Sequence, residues 1–213
     1  IKIPNLTLHK LENKNSLAFL KPTKDFFVGS SSENVSCKKN QSRNFNEKYL
    51  EAQKGFNKYN DDFFRKIKLK YIVLCSELEI AGIPALGFAN PEMKTLILNI
   101  NTNNSNFERV LHHEVFHIIE HNFNKYFLNI SWSDLNSKEF KYSACSTCSN
   151  NYSLEKIYNS KGFVSEYAKS TISEDMAETF SFMMSDNYLI LDMISKDEIC
   201  LLYTSDAADE DLR

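Results

Sequence analysis

The stretch His113-Glu114-Val115-Phe116-His117 constrains its surroundings more than any other part of this 213-residue chain. On a helix, residues four apart share one face with their β carbons about 5–6 Å apart. Two imidazoles placed that way can point at a common centre and hold a zinc ion at about 2.0–2.1 Å each. Glu114 stands one step around the helix, where a carboxylate can take a proton from metal-activated water and pass it to a leaving amine. A bare H-E-x-x-H also arises by chance, as a polar helix face or an incidental metal binder. Context favours the chemical reading. The surrounding positions Phe107, Val110, Leu111, Phe116, Ile118 and Ile119 are apolar, so unpaired histidines would be costly on such a helix, and ligation would remove that cost.

Four of the five histidines lie between positions 112 and 121, and the spacing separates them. His112 points about 100° from His113, which assigns it to the surface or to a supporting role. His121 continues the stripe, but the extended pattern H-E-x-x-H-x-x-G-x-x-H needs Gly and His where this chain has Glu120 and Phe123. A third ligand must come from elsewhere. Ser173-Glu174-Asp175-Met176-Ala177-Glu178-Thr179-Phe180 offers Glu174 and Glu178 one turn apart. Glu174 can ligate, and Glu178 can accept the free ring N–H of a ligating histidine. Two His and one Glu leave a fourth position open, as catalytic zinc requires. The competing reading is local: first-turn acids favour the helix dipole, and Thr171-x-x-Glu174 fits a capping box.

Around these motifs the chain reads as follows. Residues 1–42 look like an irregular extension. Tyr49, Ala52, Phe56, Tyr59, Phe63 and Ile67 recur at helical spacing and predict one amphipathic helix over Phe45–Ile67. Tyr71–Cys75 and Thr95–Ile100 are β-prone runs, the second a candidate edge strand that could hold substrate as an added strand. Ala81–Gly87 carries breakers around a turn. Ser105-Asn106-Phe107-Glu108 fits a capping box for a helix running to about Asn122. Residues 123–160 hold no sustained period and predict a long loop. A final helix spans about Ser173–Met184, with Met176, Met183 and Met184 as core positions, and the apolar segment Tyr188–Ile194 follows.

Gly162-Phe163-Val164-Ser165-Glu166-Tyr167, followed by Glu174-Asp175-Met176-Ala177-Glu178-Thr179-Phe180 and combined with His113-Glu114-x-x-His117, resembles the zinc-binding metallopeptidases related to the lethal-factor-like branch of the gluzincins. Trp132-x-x-Leu135-Asn136 and Phe140-x-Tyr142 extend the likeness less specifically, and it covers roughly residues 70–185. The resemblance implies Glu174 as third zinc ligand and Tyr167, seven residues earlier, as donor to the reacting oxyanion. It also implies an α+β, zincin-like fold: a small twisted sheet on the His-bearing helix, with a second helix carrying the third ligand. The activity implied is that of a zinc metalloendopeptidase with Glu114 as general base, acting on a peptide or protein. The alternative is an inactive zincin-like domain serving as a zinc-stabilised interaction module, against which the retained Glu114 argues.

Composition adds exclusions. No apolar run approaches the roughly 18–20 residues of a membrane-spanning helix. The formal charge is −3. Residues 200–213 resemble the conceptual translation of a sequencing adapter and are expected to be non-native. They hold four of the acids and one of the bases, so the rest of the chain carries 24 of each sign. Nothing there calls for a nucleic acid partner. One catalytic domain over 43–199 is the expected organisation. Cys37, Cys75, Cys145 and Cys148 read as incidental thiols, with a Cys145–Cys148 loop disulfide if the chain is exported. Six Asn-x-Ser/Thr sequons, Asn34-Val35-Ser36 and Asn129-Ile130-Ser131 among them, are expected mostly by chance in so Asn-rich a chain. Compartment stays open, with secretion the preferred side. Oligomeric state and cleavage preference are not legible.

Overall fold

The computed structural model describes residues 5–12, 14–30, 34–39, 44–127, 132–147 and 162–196. The stretch 200–213, the sequon at Asn129 and Cys148 lie outside them. Helices and strands both contribute, as an α+β reading requires, and the chain divides into two compact units, residues 1–124 and 125–213. The expected catalytic domain over 43–199 spans parts of both units. The unit boundary falls where the long aperiodic stretch begins, a stretch that gives no sequence cue for partition.

Among the described residues the first unit holds nine strands: β1 (Leu6–Leu11), β2 (Ala18–Pro22), β3 (Phe26–Gly29), β4 (Asn34–Cys37), β5 (Tyr71–Cys75), β6 (Leu78–Ile80), β7 (Ile83–Pro84), β8 (Gly87–Asn90) and β9 (Thr95–Asn99). They form a five-stranded sheet in the order β1-β2-β5-β9-β8 and a four-stranded sheet in the order β3-β4-β6-β7. In the larger sheet β2, β5 and β9 run parallel, while β1 and β8 are antiparallel edges. Residues 1–42 are therefore not an irregular extension, because four strands of the two sheets come from them. These strands are only four to six residues long, and most of β1 is exposed. Their pairing is set by partners distant in sequence, so local periodicity could not reveal it.

β9 corrects a second expectation. It is an interior strand with β5 on one side and β8 on the other, and Thr95–Leu98 are buried. A continuous apolar run is what a strand covered on both faces needs. The edge on that side of the sheet is β8, with β1 at the other end. Alternation along the strands supplies two cores. Val73, Cys75 and Ile97 join Cys37 and Leu78 in a cluster with Leu20, Val35 and Phe88 packed against it. Ile72, Leu74, Leu96 and Leu98 are equally buried in the alternate register.

Helices α1 (Phe45–Phe56), α2 (Phe63–Lys66) and α3 (Asn104–Asn122) complete the unit, and α3 packs on α1, β8 and β9. The predicted Phe45–Ile67 helix is thus two helices. Asn57, Asn60, Asp61 and Asp62 sit in the break, where short polar side chains compete for backbone hydrogen bonds. Burial of Tyr59 and Ile67, with Phe63 half-buried between them, kept the apolar spacing legible across it. Phe56 packs edge-on against both Phe19 and Phe64, at 5.9 and 5.3 Å. The N-cap of α3 is Asn103, whose side chain accepts from the Asn106 amide at 3.0 Å. Ser105, expected to cap, instead donates its hydroxyl to Asn103, and Glu108 pairs with Lys58.

The two-residue turn between β6 and β7 places Ala81 and Gly82 at φ of 51° and 77°. Both positive values match the primed hairpin turns that follow strand twist, and glycine takes such a φ without strain.

The second unit contains α4 (Asn124–Phe127, starting at the junction), a 3-10 turn at Trp132–Leu135, a second at Tyr167–Lys169, α5 (Ile172–Ser185) and α6 (Asn187–Lys196). Phe163, Val164, Ala168, Phe182, Leu189, Ile190 and Met193 form its core, with Phe140 and Tyr142 against it. Of the three methionines expected at core positions of α5, Met176 is buried, Met184 is half-buried and Met183 is exposed.

Cys37 and Cys75 are joined in a disulfide that links β4 to β5, and Cys145 is also disulfide-bonded. Incidental thiols were the expectation; distant pairing of 37 with 75 has no local sequence mark. The Cys37–Cys75 bridge spans 38 residues. Constraining a loop of that length in the unfolded chain is worth about 4 kcal/mol in the chain-entropy model. Replacing both cysteines by alanine should lower the urea midpoint by an amount equivalent to about 2–4 kcal/mol. An unchanged midpoint would count against the bridge.

Candidate metal centre

In α3 the residues His112, His113 and Glu114 are consecutive, polar and buried. Each meets a separate requirement. His112 is fully buried, which removes the surface alternative of the two that its angular position left. The α1–α2 break turns Tyr59 inward, and its hydroxyl lies 2.7 Å from His112 Nδ1. Glu108, one turn back, faces His112 Nε2 at 3.7 Å. Burial lowers the pKa of His112 despite that carboxylate, which keeps the ring neutral. Glu108 itself, drawn down by His112 and Lys58 against its own burial, falls to about 2.

His113 and His117 stand one turn apart, and their Nε2 atoms are 3.1 Å from each other. The rings meet edge-on, with centroids 4.8 Å apart. Two nitrogens bonded to one tetrahedral zinc at 2.0–2.1 Å would be separated by about 3.3 Å, so the observed pair fits a shared cation with little adjustment. The other nitrogen of His117, Nδ1, faces Glu120 Oε2 at 3.4 Å. A carboxylate at that atom orients the ring and leaves Nε2 for a metal. Glu120 was read only as a departure from another motif; its i,i+3 spacing from His117 was the available signal. His121 is exposed at the end of the helix.

Glu114 is 9% exposed and lies against β8 at Gly87.

In the second unit, Thr171 caps α5 by accepting from the Glu174 amide at 3.2 Å, so the capping half of the local reading holds. Glu174 is half-buried in the first turn. Glu178, one turn on, is buried and accepts the Ser165 hydroxyl at 2.6 Å. Ser165 also accepts from the Ala168 amide at 3.1 Å. One serine thereby ties the 3-10 turn that begins at Tyr167 to α5, which carries Glu174. Tyr167 is half-buried.

Asp175 supplies what the sequence reading lacked. Its carboxyl is fully buried and accepts from Trp132 Nε1 at 2.9 Å and from the Tyr142 hydroxyl at 2.5 Å. Asn136 donates to the same Tyr142 oxygen at 2.9 Å. The loop residues singled out by resemblance thus surround one buried acid at the start of α5. Burial pushes the Asp175 pKa up to about 7, against the pull of its two donors. A first-turn aspartate looks like a dipole partner in sequence; the Trp, Asn and Tyr upstream were the clue to its burial.

His113, His117 and Glu174 each offer one atom able to ligate a metal ion. The donor set, two imidazole nitrogens and a carboxylate oxygen, suits zinc with a position left open.

The Asp175 network generates a stability prediction. Tyr142→Phe removes one donor to a buried carboxyl and leaves Asn136 without its acceptor, which should cost about 1–3 kcal/mol. Chemical denaturation of the variant against wild type measures it, and an unchanged midpoint would contradict the role assigned to Tyr142.

The family model described as "Putative zinc-binding metallo-peptidase" matches residues 43–212. No curated protein and no solved structure matches the chain.

Proposed function

Because the chain belongs to the zinc-binding metallo-peptidase family whose model spans most of it, we propose that it is a zinc-dependent endopeptidase of gluzincin type with a zincin-like fold. The observation that carries the proposal is the His113–His117 pair, its Nε2 atoms 3.1 Å apart on one face of α3 with Glu114 between them in sequence. His113, His117 and Glu174 are the residues that would hold the ion, a reading supported by the chemistry of their donor atoms.

Bound zinc supplies a Lewis acid for the scissile carbonyl and for the attacking water. The remaining work falls to side chains. Glu114 accepts a proton from the water at its carboxylate and returns it to the departing amine nitrogen. Tyr167 donates its hydroxyl to the oxygen on which negative charge develops. Glu178, held by Ser165, supports the ligand set from α5. The substrate is a peptide or protein lying extended along the outer edge of β8. Among the described residues no strand pairs on that side, so backbone hydrogen bonds can receive an added strand without needing a chain terminus. The buried Cys37–Cys75 disulfide favours an oxidising compartment, hence export.

The test is Glu114→Gln in zinc-loaded protein. Zinc content should stay at the wild-type level while peptide turnover falls at least ~100-fold, and chelation should abolish wild-type cleavage until zinc is restored. Full activity without metal, or wild-type rates in the variant, would contradict the mechanism. Stoichiometric zinc with no hydrolysis of any peptide library would point to the interaction-module alternative.

A further inference from the structure

We infer that Gly87 is a positioning residue for Glu114, and that the missing side chain at this point of β8 is the space the Glu114 carboxyl occupies. The inference rests on the reading of Glu114 as general base. Register identifies which way Gly87 faces. Phe88 pairs with Ile97 and packs with it in the cluster around the disulfide. Successive strand residues face opposite sides, so Gly87 and its partner Leu98 face the other way, and α3 packs on β8. A β carbon built on Gly87 would stand 2.5 Å from Glu114 Cγ, 2.6 Å from Oε1 and 2.8 Å from Cδ. Such distances fall well inside van der Waals contact, about 3.5–4.0 Å between carbons.

One partner must therefore yield, and the strand is the firmer of the two. The Leu86 carbonyl accepts from the Asn99 amide at 2.9 Å, and the Asn99 side chain donates to the Ala85 carbonyl at 3.2 Å. Both bonds fix the chain just ahead of Gly87. Glu114 has rotatable bonds and gives way. Gly87 is not at positive φ, so alanine is conformationally acceptable there and the substitution probes space, not backbone strain. A carboxylate displaced by about 1 Å from its working position can cost ~100-fold in rate.

The experiment is Gly87→Ala, read in two ways. In zinc-loaded protein, kcat should fall by about 100-fold, with KM within about twofold, and zinc content and melting temperature should stay near wild type. In the crystal structure of metal-free Gly87→Ala, the Glu114 carboxyl should lie displaced from its wild-type position while β8 stays in register. Wild-type kcat, a rate loss explained by lost zinc or lost fold, or an unmoved Glu114 would each overturn the inference. The structural arm also separates the two readings. A displaced Glu114 in a protein whose wild type cleaves no peptide upholds the steric assignment and counts against the proposed function alone.

Discussion

Burial of three consecutive polar residues, His112, His113 and Glu114, is the constraint that the rest of the first unit answers. A buried polar group without a partner costs a few kcal/mol, a large fraction of the stability of any domain. Each residue receives a different solution. His112 has its Nδ1 met by the Tyr59 hydroxyl, delivered by the break between α1 and α2, and its Nε2 turned toward Glu108 at 3.7 Å. His113 has the ring of His117 beside it. Glu114 lies where β8 carries no side chain. The helix break, the glycine on the edge strand and the one-turn histidine spacing are thus consequences of a single demand. A core helix carrying such a triplet needs all three.

The second unit solves a similar problem with acids. Asp175 and Glu178 are both buried on α5. Asp175 is surrounded by donors from the preceding segment, Trp132 and Tyr142, with Asn136 behind Tyr142. Glu178 takes the hydroxyl of Ser165. These bonds hold the start of α5 and the turn of Tyr167 in place, so the positions of Glu174 and Tyr167 along the chain depend on residues with no chemical role of their own. Rigid support of this kind is what separates a site able to act from one only present.

The chemistry was more legible than the architecture. The H-E-x-x-H spacing and the Glu174–Glu178 pair are local patterns, and helical geometry turns them into statements about faces. Strands β5 and β9 and helices α3 and α5 carry long apolar signals and were found within a residue or two. What escaped depends on partners far away in sequence. β1 to β4 are short, and their pairing with β5 and β6 leaves no local period. An edge position was expected for β9, which is interior, because a run such as Thr95-Leu96-Ile97-Leu98 says that a strand is buried, not which strands flank it. Likewise the pairing of Cys37 with Cys75 and the burial of His112 are decided by tertiary packing. Asn103 displaced Ser105 as the cap of α3 because two residues of similar capping power, two positions apart, compete within an Asn-rich turn.

X-ray absorption at the zinc edge of metal-reconstituted protein tests the central claim most directly. The expected spectrum shows one zinc per chain with two imidazole nitrogens at about 2.0–2.1 Å, the remaining ligands oxygen at about 2.0–2.2 Å, and loss of the imidazole signal in His113→Ala/His117→Ala. Sulfur at about 2.3 Å, or a wild-type spectrum in the double variant, would place the metal elsewhere and contradict the site.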